Sequence, residues 1–419
     1  MIFNLPDFEG KDVVFVGKGR EGISFKKFIE PLGIIKSFNF IDIKEDPNYL
    51  ESLKSLDLNQ TIVVKTPGCP GRIMPVPYTT PTRVFFDCLN QIGAKTVGVT
   101  GTKGKTTTSS LLAETLKNAG LEVKLCGNGG NPMLDSLEGS NSSTVFVVEL
   151  SSYQLSELGQ SPDIAIITNL YKDHTDYHGN LETYWEAKRN IVRFMHEGCA
   201  VIYNPEFDII HHWLADSPAK KMPINPSEPV DMSQAKLIGD HNKLNYLMVR
   251  EAAGIFGVDI GSCLNSFIHF EPIRHRLQPV RKFRGVTFVD DAIGSTPEAT
   301  IAGIQALVRN RGPIGCVMLG GVDRNYDYVE LVKLLSTLSI PKLILFPDTG
   351  AFIKALLPEN YTPEIFETIN MEDAVSWASE NCPSGSICLL STAAPSTVLW
   401  SSFEEKGSLF QQAVLSLSE

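Results

Sequence analysis

VGVTGTKGKTTTSS, residues 97–110, runs an apolar strand into a turn bracketed by glycines and on into a helical pattern. The strict phosphate-loop spacing G-x-x-x-x-G-K-[ST] fails, because Val99 stands where the first glycine belongs. The shorter core Gly101-x-x-Gly104-Lys105-Thr106 keeps the physics of that loop. Its glycines let the backbone turn N–H groups inward, Lys105 supplies a point charge, and Thr106 offers a hydroxyl to Mg²⁺ at a helix N-terminus. An ordinary strand–turn–helix with surface lysines is the competing reading. The strand before the turn and the amphipathic LLAETLKNAG after it (111–120) favour a nucleotide-phosphate cradle. Its members are Gly101, Thr102, Lys103, Gly104, Lys105, Thr106 and Thr107.

Outward from this loop, strand-like runs alternate with helical patterns, the signature of an α/β protein with parallel sheets. Three domains are expected: a Rossmann-like block over 1–92, a central P-loop ATPase-type parallel sheet over 93–278, and a second Rossmann-like block over 279–419. In the first, KDVVFVGKGREGIS (11–24) places Gly17-x-Gly19-x-x-Gly22 after a strand, and FNFIDIKED (38–46) carries a second strand to Asp42. The glycine pattern alone is weak, so diphosphate binding and a plain turn both stay open. Thr66-Pro67-Gly68 closes another strand as a tight turn. In the central block STVFVVELSSYQLS (143–156) ends its apolar run at Glu149. A carboxylate at the tip of a buried strand, downstream of a phosphate loop, suits Mg²⁺ coordination. LETYWEAKRNIVRFM (181–195) and LIGDHNKLNYLMVREAA (237–253) have helical spacing, and the basic RHRLQPVRKFRG (274–285) reads as a linker.

A net charge of -11 and a pI near 5.3 argue against nucleic acid or an anionic membrane as partner. The eight cysteines are scattered without a C-x-x-C pair, which reads as reduced core thiols rather than a disulfide frame or a zinc site. There is no run of 18 apolar residues and no signal-peptide pattern, so a cytoplasmic protein is expected.

GVTGTKGKTTT, GNGGN, ELSSYQL, TNLYKDHTDYHG, EAKRNI, GDHNKLN, RHRLQ, DDAIGST, LGGVDRN and LLSTAAPSTVLWSSFEEKG follow one another along nearly the whole chain. In that order they resemble the ATP-dependent Mur ligases of peptidoglycan synthesis. The short N-terminal block favours the member that adds D-glutamate to UDP-N-acetylmuramoyl-L-alanine. Such ligases form an acyl phosphate from ATP and a carboxylate, which an amino acid's amine then attacks. The resemblance implies two Mg²⁺ sites: one on Thr106 and Glu149, the other on Glu149, His174 and Lys188. Because an ammonium cannot bind a cation, Lys188 serves only as a carbamate; in isolation it reads as a surface lysine. Asn131 would position phosphates or substrate. Asn242 and Asn245, one helical turn apart, would face adenine or cap a helix. Arg276 and Asp291 would meet ATP, with Lys105 on its β- and γ-phosphates.

By the same resemblance Gly19, Gly22, Asp42, Thr66, Pro67 and Gly68 would hold the UDP part, and Ser295, Arg324, Ser396 and Phe403 the acceptor amino acid. Ile43 and Lys44 depart from the family's frequent Thr-Arg pair. Ile293 stands where a lysine is usual, and Arg324 replaces another. A monomer acting on small molecules is expected. The rival readings are a related ligase with another acceptor, such as L-glutamate, and a non-catalytic nucleotide-binding regulator.

Overall fold

The valine- and isoleucine-rich runs form parallel strands covered on both faces, which is why their apolar patterns are continuous rather than alternating. The computed structural model describes residues 3–42, 46, 48–128, 132–171, 175–237, 239–271, 274–324, 326–396 and 399–418. Among them β1 (Asp12–Val16), β2 (Ser37–Ile41) and β3 (Thr61–Lys65) build a parallel sheet of order β2-β1-β3. Val16 stands level with Ile41 and Lys65, so the chain leaves all three strands at one edge. The helix Arg20–Ile29 covers this sheet through Phe25, whose ring lies 5.5 Å from that of Phe15.

The second sheet comprises β4 (Lys95–Thr100), β5 (Val123–Gly127), β6 (Val145–Glu149), β7 (Ile164–Ile167), β8 (Ala200–Tyr203) and β9 (Lys220–Pro223). Its order is β5-β6-β4-β7-β8-β9, all parallel. The order reverses at β4, and the crevice at the carboxyl ends beside such a reversal is where open α/β sheets take ligands. The loop opened above leaves β4 at that crevice. Glu149 ends β6 level with Val99.

The third sheet is β10 (Gln278–Phe283), β11 (Val286–Asp290), β12 (Ile314–Gly321), β13 (Lys342–Asp348), β14 (Glu364–Glu367) and β15 (Ile387–Leu390). The order is β10-β11-β15-β12-β13-β14, with β10 alone antiparallel. Here the linker reading of RHRLQPVRKFRG fails, since residues 278–283 are an edge strand. Phe283 pairs with Val286 across Arg284 (φ 47°) and Gly285 (φ 84°), both left-handed, which is a two-residue hairpin turn. Basic side chains on the strand concealed its pattern; on an edge, charge is tolerated.

The described chain forms two compact units. One is Met1–Ala235 with Asp240–Phe270 and holds the first two sheets; the other is Lys236–Gly239 with Glu271–Glu419 and holds the third. No helix among the described residues is long and apolar enough to cross a membrane.

Candidate active site

Two glycines shape the loop after β4. Gly101 has φ 149°, and a Cβ there would sit 1.9 Å from Thr168 Oγ1. Gly104 has φ 82° and would drive a Cβ to 2.7 Å from Asn245 Oδ1. Neither position admits a side chain without strain. Residues just beyond β7 grip the turn from outside. Thr168 Oγ1 and Asn169 Nδ2 donate to the Lys103 carbonyl at 2.6 and 2.9 Å, while Asn169 Oδ1 accepts the Lys103 N–H at 2.8 Å. The Thr102 N–H donates to the Asn169 carbonyl at 2.9 Å. The expected inward-facing N–H groups are therefore not those of Thr102 and Lys103, which are committed to Asn169. The donors for an anion are those of the helix Lys105–Asn118, whose first N–H groups have no intrahelical partner. Thr102 is instead a buried post, its hydroxyl 3.1 Å from that of Tyr184. Lys105 sits at the helix start, its Nζ donating to the carbonyls of Gly101 and Thr102, both at 3.0 Å. Thr106 and Thr107 follow it in the first turn.

Glu149 is 2% exposed. Its Oε1 accepts from Asn128 Nδ2 at 3.0 Å, but Oε2 is buried with no hydrogen-bond partner among the described residues. Leaving a carboxylate oxygen so is costly unless something positive meets it. A hard carboxylate and the Thr106 hydroxyl are oxygen donors of the kind Mg²⁺ prefers, so these residues fit the ion. Lys188, on the helix Leu181–Arg193, is 1% exposed rather than a surface lysine. Its Nζ donates to the Gly101 carbonyl at 2.8 Å and lies 4.9 Å from the Tyr184 ring centre. The fold thus brings Lys188 to the phosphate loop. His174 and Asn131, and with them Ile43 and Lys44, lie outside the described residues.

Asn242 and Asn245 are both buried on the helix Asp240–Ile255, with Asn245 Nδ2 donating to Asn242 Oδ1 at 3.1 Å. The helix already begins at Asp240, so neither is its cap; Asn245 backs Gly104 of the phosphate loop.

At the carboxyl edge of the first sheet, Asp42 and the turn Thr66, Pro67, Gly68 leave adjacent ends with the glycine loop of β1. Gly19 flanks the helix start, and Gly22 lies where a Cβ would meet the Gly17 carbonyl at 2.7 Å. Buried Lys65 donates to the Cys69 carbonyl at 2.9 Å and pairs with Glu157 at 3.7 Å. Burial pushes its ammonium below the ordinary lysine range, against the opposing pull of Glu157. Tyr177 Oη donates to the Pro67 carbonyl at 2.8 Å. These contacts fix the shape of the Thr66–Gly68 turn.

In the second unit, β11, β15 and β12 end side by side, and their loops carry Asp291, Ser295, Ser396 and Arg324. Asp291 is buried; Ser391 Oγ donates to its Oδ2 at 2.7 Å and the Leu277 N–H to its Oδ1 at 3.2 Å. Burial raises its carboxyl to about 7, opposed by the bonds from Ser391 and Leu277 and by the charge of Arg276. Asp290 Oδ2 lies 2.7 Å from His275 Nδ1. Lys406, fully buried, donates to Thr392 Oγ1; burial lowers its ammonium to about 8, with Asp291 and Asp290 opposing. The Val322 N–H donates to the Pro395 carbonyl at 3.0 Å, tying the β12 and β15 loops together. Arg324 is exposed, Ser396 is buried, and half-buried Phe403 opens the last helix, Phe403–Ser416, 6.4 Å from the His275 ring. His275 (φ 63°), Leu277 (φ 45°) and Ala393 (φ 56°) are left-handed non-glycine residues, strain of the sort that collects in ligand loops.

Residues 99–251 match the family model described as Mur ligase middle domain, which starts at the phosphate loop and ends beyond Asn245. A UDP-N-acetylmuramoylalanine--D-glutamate ligase from Clostridioides difficile (strain 630) is 29% identical, covering 98% of this chain and 100% of its own. One from Caldanaerobacter subterraneus subsp. tengcongensis is 31% identical over 76% of this chain and 75% of its own. The chain belongs to the Mur ligase family. The solved MurF ligase from Thermotoga maritima in complex with ADP is 17% identical, covers 99% of this Mur ligase and 98% of its own chain, and has a TM-score of 0.63; it shares the fold.

Sequence reasoning passed over several residues of this Mur ligase that shape its loops: Thr168, Asn169, Lys65, Tyr177, His275 and Lys406. Only the first two carried a signal, since they directly follow an apolar strand next to a phosphate loop. Asp291 yields a prediction of its own. Its folded pKa is raised, so the folded state holds a proton that the unfolded chain has already released, and stability falls as pH rises from about 4 towards 7. Asn keeps the acceptor for Leu277 and donates to Ser391. Asp291→Asn is therefore expected to gain on the parent protein, by up to roughly 4 kcal/mol, between about pH 4 and pH 8. Urea midpoints of both proteins across that range test it; parallel pH profiles would refute the shift.

Proposed function

We propose that this Mur ligase joins D-glutamate to UDP-N-acetylmuramoyl-L-alanine in peptidoglycan precursor synthesis, using ATP through an acyl phosphate. The observation that carries the reading is Glu149, whose buried Oε2 has no hydrogen-bond partner among the described residues and which ends β6 level with Val99, at the end of the strand that leads into the loop of Lys105. Phosphoryl transfer asks chiefly for positioning and charge neutralisation, and both parts serve that end. Lys105 would neutralise the β- and γ-phosphates, with the N–H groups of its helix oriented on them. Thr106 and Glu149 would hold one Mg²⁺, and Glu149, His174 and carbamylated Lys188 a second. When bound, the ions would neutralise charge gathering between ATP and the substrate carboxylate. Asn131 would orient the substrate. Asn242 and Asn245 would stand at the adenine side, and Arg276 and Asp291 would meet ATP.

The division into 1–92, 93–278 and 279–419 becomes one of tasks: UDP recognition, ATP chemistry and acceptor binding. Gly19, Gly22, Asp42 and the Thr66–Gly68 turn would hold the UDP part. We further propose a cytoplasmic monomer. The amine of the acceptor attacks the acyl phosphate carbon, the tetrahedral adduct expels inorganic phosphate, and the ammonium's protons pass to solvent.

Ser295, Ser396 and Phe403 would line the acceptor pocket, with Arg324 as the main cation for the glutamate side chain, because Ile293 supplies none. Arg324→Ala is expected to raise the KM for glutamate at least tenfold while moving the KM for ATP little. Arg324→Lys should recover only part, since an ammonium lacks the two-pronged fit of a guanidinium. Phosphate release with UDP-N-acetylmuramoyl-L-alanine, ATP and competing D- and L-glutamate, with chiral resolution of the hydrolysed product, tests the whole reading. Exclusive incorporation of the L form would overturn the D assignment, and no glutamate incorporation at all would overturn the acceptor.

A further inference from the structure

The cysteines that look scattered in sequence converge in the second unit. Cys316 lies on β12 and Cys388 on β15, paired in register across parallel neighbours, so their side chains leave the same face. Cys382, the C-cap of the helix Met371–Asn381, comes in from the layer above. The three sulfur atoms all lie within 4.8 Å of one another. Cys316 and Cys388 are fully buried and Cys382 partly so.

We propose that Cys316, Cys382 and Cys388 form a binding site for a thiophilic divalent ion of the zinc class. Three sulfur donors in an apolar core select soft ions, which leaves Zn²⁺ and Cu⁺ as the common choices. Charge decides between them. Three thiolates leave one net negative charge on a divalent ion and two on a monovalent one, and burying net charge is expensive. The nearby cation is Lys342, level with Cys316 on β13 and already paired with Glu364. That supports the smaller charge. Cys382 also sits at the negative end of its helix, which favours a cation over a free thiolate. Tetrahedral Zn–S bonds of about 2.3 Å need sulfur separations of roughly 3.8 Å, so side-chain shifts of about an ångström close the site. Each thiol gives up its proton to buffer as the ion binds, and a water on the Cys382 side completes four-coordination. Because β12 and β15 run on into the loops of Arg324 and Ser396, the ion would clamp the strands beneath them.

The competing reading is three small apolar side chains filling the core. Anaerobic titration of the reduced, metal-free full chain with Co²⁺ separates the two. One equivalent is expected to give sulfur-to-cobalt charge-transfer absorption and strong tetrahedral d–d bands, both erased by one equivalent of Zn²⁺. Co²⁺ on the oxygen donors near Glu149 would give only weak octahedral bands. Cys382→Ser should weaken the sulfur site at least tenfold. Should that variant fold poorly, X-ray absorption of the zinc-loaded parent protein counts the sulfur neighbours directly, and three are expected. Absence of charge-transfer bands, or bands of unchanged intensity and cobalt affinity in a folded Cys382→Ser variant, would overturn the site. Preferential retention of Cu⁺ over Zn²⁺ in chelator competition would overturn the ion class.

Discussion

Lys105→Ala is expected to lower ATP-dependent phosphate release by a hundredfold or more while leaving the fold intact. The side chain is partly exposed at the start of its helix and donates to the carbonyls of Gly101 and Thr102, both 3.0 Å away. Its removal leaves no large cavity. Contacts to charge that builds in a transition state are worth about 3 to 4 kcal/mol each, and a lysine at a phosphate loop is of that kind. The loss should appear mainly in kcat, with the thermal midpoint changed by a few degrees at most. Near-normal turnover in a folded Lys105→Ala protein would reject the phosphate cradle and with it the ligase chemistry.

Lys188→Ala is expected to be nearly inactive and also less stable, a pairing that Lys105→Ala should not show. Lys188 is buried against Tyr184, so its loss leaves a cavity there and takes one of the two lysine donors from the Gly101 carbonyl, Lys105 keeping the other, at a cost of about 1–3 kcal/mol. If its Nζ adds to CO₂ and sheds a proton to become a carbamate, the missing group is an anion. Added acetate or formate should then restore part of the activity without restoring the stability lost with the long side chain. Lys188→Arg keeps positive charge and should stay inactive. Full activity in Lys188→Ala would remove the residue from the site; inactivity without carboxylate rescue would leave its role to the bond with Gly101.

How legible each residue was depended on how local its signal is. Gly101, Gly104 and Lys105 announce themselves because strand, turn and helix follow without a break. Glu149 was readable as a charged residue closing an apolar run. Lys188 was not, since a lysine in a helical pattern reads as solvated; its burial follows from the packing of Leu181–Arg193 against the loop. Thr102 and Lys103 looked like phosphate donors, and only Asn169, arriving from another strand, shows their N–H groups to be occupied. The 278–283 segment was missed as a strand for a related reason. Its Lys282 is exposed and its Arg281 donates to the Leu415 and Leu417 carbonyls at the end of the last helix, and neither that helix nor the neighbouring strand is visible from the segment alone.

By itself the sequence determined the alternation of strands and helices, the phosphate loop and the family, because each is written in residues that are neighbours along the chain. Tertiary structure alone decided which strand ends meet. Val99 stands beside Glu149, fifty residues further on, through the register of β4 and β6, and Asp290 beside Leu390 through that of β11 and β15. Register comes from the fit of side chains between non-local strands, which no short-range pattern encodes. The three cysteines make the point most sharply: 316, 382 and 388 show no ligand spacing in sequence, yet β12, β15 and a helix end bring their sulfurs within 4.8 Å of one another.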